Sequence, residues 1–270
     1  MKPAFSPKKP LYPMSWQALP VGNDMKQHVE TSLEVCSRRF FGYHLVKLGC
    51  LSGQIELPEC AIKHVVNVVS KQCADEPQQK GASQVIADAH ELPFSENSVD
   101  AFLLAHELDF SRDPHQILRE VDRILIPNGH VVIVGFNPFS LAGIFRYLPF
   151  KSNKILREAR FFSSMRINDW LHLLGFETIE QHQLVFSSLL FKRKTRIFSS
   201  VERLCRKYLP IFSSIYVIVA KKRVIPLSLV KPKWKPSPKF STVGASARTS
   251  MQNKTSTFSK KVCRDPKYSR

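Results

Sequence analysis

The stretch that begins at Asp113 constrains the fold more than any other part of the chain. Asp113 is a typical N-cap, Pro114 suits the first helical position, and Gln116 completes a capping-box pattern. Apolar residues then recur at helical spacing until a turn signal at residues 127–129 stops the predicted helix, and a Val-Val-Ile-Val run follows at 131–134. This order is typical of a βαβ crossover, which is right-handed in a parallel sheet.

Short apolar runs recur on both sides of this stretch. Strands that are buried on both faces are continuously apolar and do not alternate, so these runs indicate a parallel sheet covered by helices. The five runs are residues 44–48, 64–69, 84–87, 100–105 and 130–136. A predicted helix at 168–174 ends at Gly175, and strand patterns follow at 176–185 and 215–220. We therefore predict an α/β sheet whose last strand is antiparallel.

Charge is distributed unevenly along the chain. The 270 residues carry 40 Lys and Arg against 22 Asp and Glu, a formal net charge of +18. Residues 231–270 hold 11 of the basic residues, one acid and few aliphatic side chains, so we expect disorder there. A cap signal at residues 23–24 predicts the start of the first amphipathic helix. The predicted organisation has three parts: an extension at 1–23, a folded domain at 24–228 and a disordered basic tail at 229–270.

Basic residues also cluster at 192–196 and at 203–207. Together with the tail they are typical of a protein that binds a polyanion such as a nucleic acid. A solvated basic surface and a solubilising tail have the same composition. The sequence leaves both interpretations open.

The six cysteines show no C-x-x-C spacing, which disfavours a zinc ribbon or a thioredoxin-like site and favours buried free thiols. No zinc-type H-E-x-x-H motif is present, and we predict no metal site. No apolar run approaches the roughly 20 residues that span a membrane. Residues 1–13 lack the apolar core of a secretory signal, so we expect a protein of the reducing cytoplasm.

Two blocks of the sequence resemble class I S-adenosylmethionine-dependent methyltransferases. The first is Asp-Ala-His-Glu-Leu-Pro-Phe at residues 88–94, and the second is a helix with Leu-Arg-Glu at 118–120 that leads into a Pro-Asn-Gly turn. Gly-Tyr-His-Leu at 42–45 extends the resemblance to the bacterial YafS-like methyltransferases. The resemblance implies a Rossmann-like, doubly wound sheet of seven strands, mostly parallel, that binds S-adenosyl-L-methionine at the carboxyl ends of its central strands.

The family's motifs, matched residue by residue, imply a donor site. Asp88 matches the acid that accepts a hydrogen bond from the adenine amino group, and the backbone of Ala89 is expected to meet a ring nitrogen. Gly49 and Gly53 match the outer glycines of the family's G-x-G-x-G loop. Asn67, on the second strand, is the expected partner of the ribose.

Three departures from the family pattern predict weak donor binding. Leu51 replaces the middle glycine of the loop, and we expect its side chain to crowd the ligand or to shift the loop. Lys47 replaces the acid before the loop and reverses the charge expected near the donor's ammonium group. The second strand lacks the usual acid, so Asn67, or Ser70 as the alternative, supplies a neutral ribose partner.

His106 is the predicted general base, because relatives place substrate-facing residues directly after the fourth strand. The alternative is a partly buried turn residue. Asn-Pro-Phe at 137–139 follows the fifth strand and is interpreted as a turn. The aromatic stretch 145–151, continued at 161–162, is either a lid over the substrate or a cover for the core.

The predicted function is methyl transfer from S-adenosylmethionine to an acceptor that the sequence does not identify. The alternative is a non-catalytic, methyltransferase-like module that binds nucleic acid or a protein partner through its basic segments. A nicotinamide-dependent oxidoreductase is disfavoured, because the chain lacks a G-x-G-x-x-G fingerprint.

Overall fold

The computed structural model describes residues 11–73, 81–140, 154–184 and 213–223. The chain divides into two units, Met1–Pro226 and Leu227–Arg270, and every described residue lies in the first. The predicted lid at 145–151, the basic clusters at 192–207 and the basic tail lie outside the described residues. The domain boundaries given above stay predictions.

Seven strands form one sheet. The strands are β1 (His44–Leu48), β2 (His64–Val69), β3 (Ser83–Ile86), β4 (Val99–Ala105), β5 (Leu125–Phe136), β6 (Phe176–Leu184) and β7 (Ile215–Lys222). Their order across the sheet is β3-β2-β1-β4-β5-β7-β6. The first five strands pair in parallel, and β7 runs antiparallel to both of its neighbours, β5 and β6. The predicted mostly parallel α/β sheet with an antiparallel last strand is confirmed.

Helices cover both faces of this sheet. The helices of the described residues are α1 (Gly22–Ser37), α2 (Cys50–Gly53), α3 (Glu107–Phe110), α4 (Pro114–Ile124), α5 (Lys154–Glu158) and α6 (Ser164–Leu173). Short 3-10 turns lie at Trp16–Ala18 and Lys71–Cys73. None of the described helices has both the length and the apolar character needed to cross a membrane.

Alternate residues of the central strands enter one of two apolar clusters, one on each face of the sheet. Leu45 of β1 packs with α1, whereas Val46 and Leu48 pack with α4. In β4, Leu103 joins the first cluster, and Phe102 joins the second. The central strands read as continuous apolar runs because both of their faces are buried.

The start of α1 differs from the prediction. The helix begins at Gly22, and its N-cap is Val21, which has a φ of 55° and no side-chain cap bond. A Cβ at Gly22 would overlap the carbonyl of Trp16. The predicted cap at residues 23–24 is therefore wrong, because close packing of the preceding turn sets the first residue of the helix.

Helix α4 agrees with its predicted start. The Asp113 carboxylate accepts the backbone N–H groups of His115 and Gln116 at 3.1 and 3.3 Å. The Gln116 side chain donates to the carbonyl of His90 at 3.4 Å, and its predicted return bond to the cap is not made. The Asp113 cap is confirmed, but only half of the capping box forms.

The Pro-Asn-Gly turn at 127–129 does not end α4. The helix ends at Ile124, and β5 already begins at Leu125. Residues 127–129 form a bulge where the pairing with β4 shifts, and Asn128 has a φ of 67°. Helix α6 also begins earlier than predicted, because Ser163 caps it by accepting the backbone N–H of Arg166.

Candidate functional site

A cavity of about 710 Å³ opens at the carboxyl ends of the parallel strands. Its walls are the residues that follow β1, β2, β3 and β4, the start of α4, and the side chain of Tyr12. From β1 the chain continues through β2 and β3 toward one edge of the sheet. It then returns to form β4 on the other side of β1, and from β4 it continues toward the opposite edge. Open α/β sheets bind ligands in the crevice at such a reversal. The volume lies in the usual range for a small-molecule site.

Gly49 forms the floor of the cavity at the end of β1. Its φ is 92°, a value that favours glycine. A Cβ here would collide with the Glu107 carboxylate and with the Tyr12 hydroxyl, which are hydrogen bonded to each other. The pKa of the Tyr12 hydroxyl is held well above its usual value, first by burial and then by the charge of Glu107. A glycine is therefore required at this position of the loop.

Leu51 does not crowd the cavity. It lies in α2, its side chain is fully buried in the apolar cluster shared with α1, and it is not part of the cavity wall. Its carbonyl accepts the indole N–H of Trp16 at 3.0 Å. The expectation that Leu51 blocks the ligand is wrong, because the short helix turns this side chain toward the core.

Lys47 is likewise buried and outside the cavity wall. Its ammonium group donates to the carbonyl of Ile55 at 2.7 Å. Burial lowers its pKa to about 8, although the nearby Cys60, Glu56 and Glu30 act in the opposite direction. The predicted charge reversal at the donor's ammonium group is therefore wrong, because Lys47 projects to the sheet face opposite that of Leu48.

Two cysteines are joined where free thiols were expected. Cys50, in the cavity wall, forms a disulfide with Cys73 at the end of the turn after β2. The bond ties the loop after the first strand to the loop after the second. Cys36 and Cys60 are the free cysteines of the described residues. Spacing gave no signal for the pair, because the two cysteines are 23 residues apart and their loops come together only when β1 and β2 pair in the sheet.

Asp88 and Ala89 lie in the cavity wall after β3. The Asp88 side chain is 72% exposed. Its Oδ1 accepts the backbone N–H of His90 at 3.0 Å and lies 2.7 Å from that residue's Nδ1. The carboxylate is thus held at the rim of the cavity by a local turn while most of its surface stays accessible.

Ser70, directly after β2, faces the cavity, whereas the side chain of Asn67 in β2 lies buried behind the cavity wall. Asn67 is 1% exposed and its Oδ1 has no partner among the described residues, whereas Ser70 lines the cavity. Gly53, at the end of α2, is buried and also lies outside the wall. Of the five residues predicted to hold the donor, Gly49, Asp88 and Ala89 come together here.

His106 lies in a buried pair with Asp109. Its ring is fully buried, stacks on Phe136 at 3.9 Å between centroids and meets Trp16 edge to face. Nδ1 lies 2.9 Å from Oδ2 of Asp109, which also accepts the backbone N–H of Phe136. Burial raises the pKa of Asp109, against the opposing effect of His106. Nε2 has no partner among the described residues, and the ring is not in the cavity wall.

Glu107 and Tyr12 are cavity residues that the sequence did not single out for a role. Glu107 is noticeable in the sequence only as the neighbour of His106, and it is this side chain, 8% exposed, that reaches the cavity. Tyr12 belongs to the predicted N-terminal extension and has no spacing signal. Its approach to the cavity depends on Trp16, which anchors this segment in the core.

Contacts confirm the predicted turn at 137–139 and decide the described part of the aromatic stretch. Residues 137–139 form a turn in which Oδ1 of Asn137 accepts the backbone N–H of Phe139 at 3.1 Å. Phe161 stacks on Phe136, and Phe162 is buried against Trp170. The aromatic pair at 161–162 therefore covers core.

Comparison with known proteins agrees with this geometry. Residues 46–133 match a family of sequences described as a methyltransferase domain. An S-adenosylmethionine-dependent methyltransferase of Thermotoga maritima superposes with a TM-score of 0.54 at 20% identity, covering 78% of this chain and 100% of that one. The cyclase SpnF superposes with a TM-score of 0.50 at 16% identity, covering 82% of this chain and 86% of that one. The chain thus contains a stretch that matches a methyltransferase domain, and it has the Rossmann-like fold of the S-adenosylmethionine-dependent methyltransferases.

The particular family follows from sequence identity. The chain is 38% identical over 229 residues to "Uncharacterized protein YafS" of Escherichia coli (strain K12). The aligned region covers 85% of this chain and 89% of that protein. The chain therefore belongs to the YafS family, and it carries a methyltransferase domain in the fold of the S-adenosylmethionine-dependent methyltransferases, as the sequence motifs predicted.

Proposed function

We propose that the protein is an S-adenosylmethionine-dependent methyltransferase that binds its donor in the cavity above β1 to β4. The observation that supports this most directly is the open cavity between Gly49 and Asp88. Leu51 and Lys47, the two side chains expected to obstruct it, are buried elsewhere. When bound, the donor supplies an electrophilic methyl group on a sulfonium, which an O, N, S or C acceptor attacks in line.

The residues of the cavity suit an adenosyl ligand. In this proposal the Asp88 carboxylate, which lies in the cavity wall, would accept a hydrogen bond from the adenine amino group, and the backbone of Ala89 would meet a ring nitrogen. Ser70 replaces Asn67 in our proposal as the neutral partner of the ribose, because it lines the cavity. Gly49 would allow backbone to approach the ligand, and the buried Glu107 carboxylate would be the acid that pairs with the donor's ammonium group. Gly53 closes the turn, since its backbone N–H donates to the carbonyl of Gly49 at 3.1 Å.

His106 remains the proposed general base. In this proposal Asp109 is ionised and accepts the Nδ1–H of His106, which leaves the lone pair of the ring on Nε2. The ring is fixed by its aromatic neighbours.

Isothermal titration calorimetry with S-adenosylmethionine and S-adenosylhomocysteine tests the donor site. We expect one saturable site per chain. Asp88→Ala should weaken binding about tenfold or more, because a hydrogen bond to a charged group is lost. Asp169→Ala removes an exposed aspartate of α6 and should leave the affinity unchanged. Equal affinities of the wild type and Asp88→Ala would exclude this site.

A second candidate function is a methyltransferase-like module without catalysis. It is favoured by the burial of the His106 ring away from the cavity, and the cyclase with this fold shows that fold alone does not set activity. Such a module would bind nucleic acid or protein through the basic segments at 192–207 and 231–270. Transfer of labelled methyl groups from the donor to an Escherichia coli extract would decide for the enzyme, whereas donor binding without transfer would favour the module.

We propose the cytoplasm as the location of the protein. The Cys50–Cys73 disulfide is the one observation against it, because such bonds are rare in reducing compartments.

A further inference from the structure

Three potential metal ligands meet on the side of the fold away from the cavity. Cys36 lies in the last turn of α1, and Glu180 and His182 lie two residues apart on one face of β6. Among the described residues, this is the cluster of His, Cys and acidic side chains whose ligand atoms all lie within 4.8 Å of one another. Strand β6 is one edge of the sheet and β3, at the cavity, is the other.

The distances between the three ligand atoms agree with one metal ion between them. Sγ of Cys36 lies 3.3 Å from Oε2 of Glu180 and 3.6 Å from Nε2 of His182, and these last two atoms are 3.2 Å apart. Tetrahedral zinc with ordinary bond lengths separates sulfur from oxygen by about 3.5 Å, sulfur from nitrogen by about 3.6 Å and nitrogen from oxygen by about 3.4 Å. Each of the three observed distances is within a few tenths of an ångström of the value expected for tetrahedral zinc.

The chemistry of the donor set also suits zinc. A thiolate, an imidazole nitrogen and a carboxylate oxygen are the three ligand types that zinc takes in proteins. The Cys36 side chain is buried, whereas the side chains of Glu180 and His182 are 22% and 40% exposed. An ion held here would be fixed by a buried sulfur and would keep a fourth position toward solvent.

Arg39 positions the carboxylate. Its guanidinium pairs with Oε1 of Glu180, which leaves Oε2 directed at Cys36 and His182. Partners of this kind in the second shell of a metal site orient the ligand that they hold. The same atoms also form hydrogen bonds without a metal, since the Cys36 thiol donates to Glu180. The experiment must separate these two arrangements.

We propose that Cys36, Glu180 and His182 bind a zinc ion that fastens the end of α1 to the edge strand β6. The ion would tie these two elements together at a distance from the cavity. The site does not depend on the proposed methyl transfer, because none of its residues lines the donor cavity.

Cobalt binding to tag-free, metal-stripped full-length protein tests the proposal. A thiolate ligand gives Co²⁺ a sulfur-to-metal charge-transfer band in the near ultraviolet, which nitrogen and oxygen ligands do not give. We expect one cobalt ion per chain with this band, and stoichiometric zinc should displace it. Cys36→Ser should abolish the band. His182→Gln, at a partly exposed position of the edge strand, should weaken cobalt binding about tenfold or more.

Matched cysteine variants provide the controls. Cys60→Ser removes the other free cysteine of the described residues and should retain the band. Cys205→Ser and Cys263→Ser test the cysteines outside those residues. Zinc at about a hundred times its dissociation constant should raise the melting temperature of the wild type by roughly 5 to 10 °C. It should not raise that of Cys36→Ser, whose metal-free melting temperature reports whether the variant folds.

The outcomes are distinct. A charge-transfer band that survives Cys36→Ser, or a metal-stripped wild type that takes up no cobalt, overturns the proposal and leaves a hydrogen-bonded cluster. A band lost in both Cys36→Ser and His182→Gln but retained in Cys60→Ser supports it.

Discussion

At the scale of single residues, the direction of each side chain decides what the altered glycine loop does. Lys47 and Leu51 look disruptive when they are matched to the family motif. Lys47 alternates with Val46 and Leu48 along β1, so its direction away from α4 follows from the period of the strand. The inward turn of Leu51 depends on helix α2, which is too short to leave a periodic signal. Motif matching identified the unusual positions but not where they point.

The buried ammonium of Lys47 predicts an unusual dependence of stability on pH. Its pKa is lowered from 10.5 to about 8 in the folded protein, chiefly by burial. Between these two values the unfolded chain binds more protons, so the free energy of unfolding should rise as pH increases through this window. Below about pH 8 the full penalty, about 3 kcal/mol, opposes folding.

Urea unfolding of the wild type and of Lys47→Met, followed from about pH 7 to about pH 10, measures this contribution. Lys47→Met lacks the titrating group, and all other groups remain. The stability difference between the two proteins should therefore change by about 2 to 3 kcal/mol in favour of the wild type as pH rises. A difference that is constant across the range would show that Lys47 keeps its ordinary pKa.

At the scale of elements, the sequence predicted which helices and strands exist better than where they begin and end. All seven predicted strands are present, and the five parallel ones were predicted because strands that are buried on both faces form continuous apolar runs. The starts of α1 and β5 were missed. The sequence Pro-Asn-Gly is compatible with either a β-bulge or the end of a helix. Only the pairing of β5 with β4 shows that residues 127–129 form a bulge. The start of α1 depends on Trp16, which packs from outside the helix.

The cap of α4 is the element boundary that sequence and structure both specify. Asp113→Ala should lower the free energy of unfolding by about 1 kcal/mol, because two backbone N–H groups lose their acceptor. Asp113→Asn should stay within a few tenths of a kcal/mol of the wild type, since asparagine caps about equally well. Urea unfolding of the three proteins measures both effects. Equal stability of the two variants would show that charge, and not the cap bond, is what Asp113 contributes.

At the scale of the whole molecule, the strand order places the cavity. The sheet runs outward from β1 to β3, returns to β4 beside β1, and so leaves a crevice above the carboxyl ends of the central strands. The resemblance to the methyltransferase family implied this crevice. It did not predict Glu107 and Tyr12 in its wall, because their meeting at Gly49 depends on the packing of an N-terminal segment that has no motif.

The central claim is that this crevice binds an adenosyl ligand between Gly49 and Asp88. The most direct measurement is a crystal structure of the protein grown with S-adenosylhomocysteine. We expect electron density for the adenine ring beside Asp88 and Ala89, for the ribose near Ser70, and for the amino-acid end above Gly49. Crystals grown at millimolar ligand in which this crevice holds only water, or in which the ligand lies elsewhere, would contradict the account.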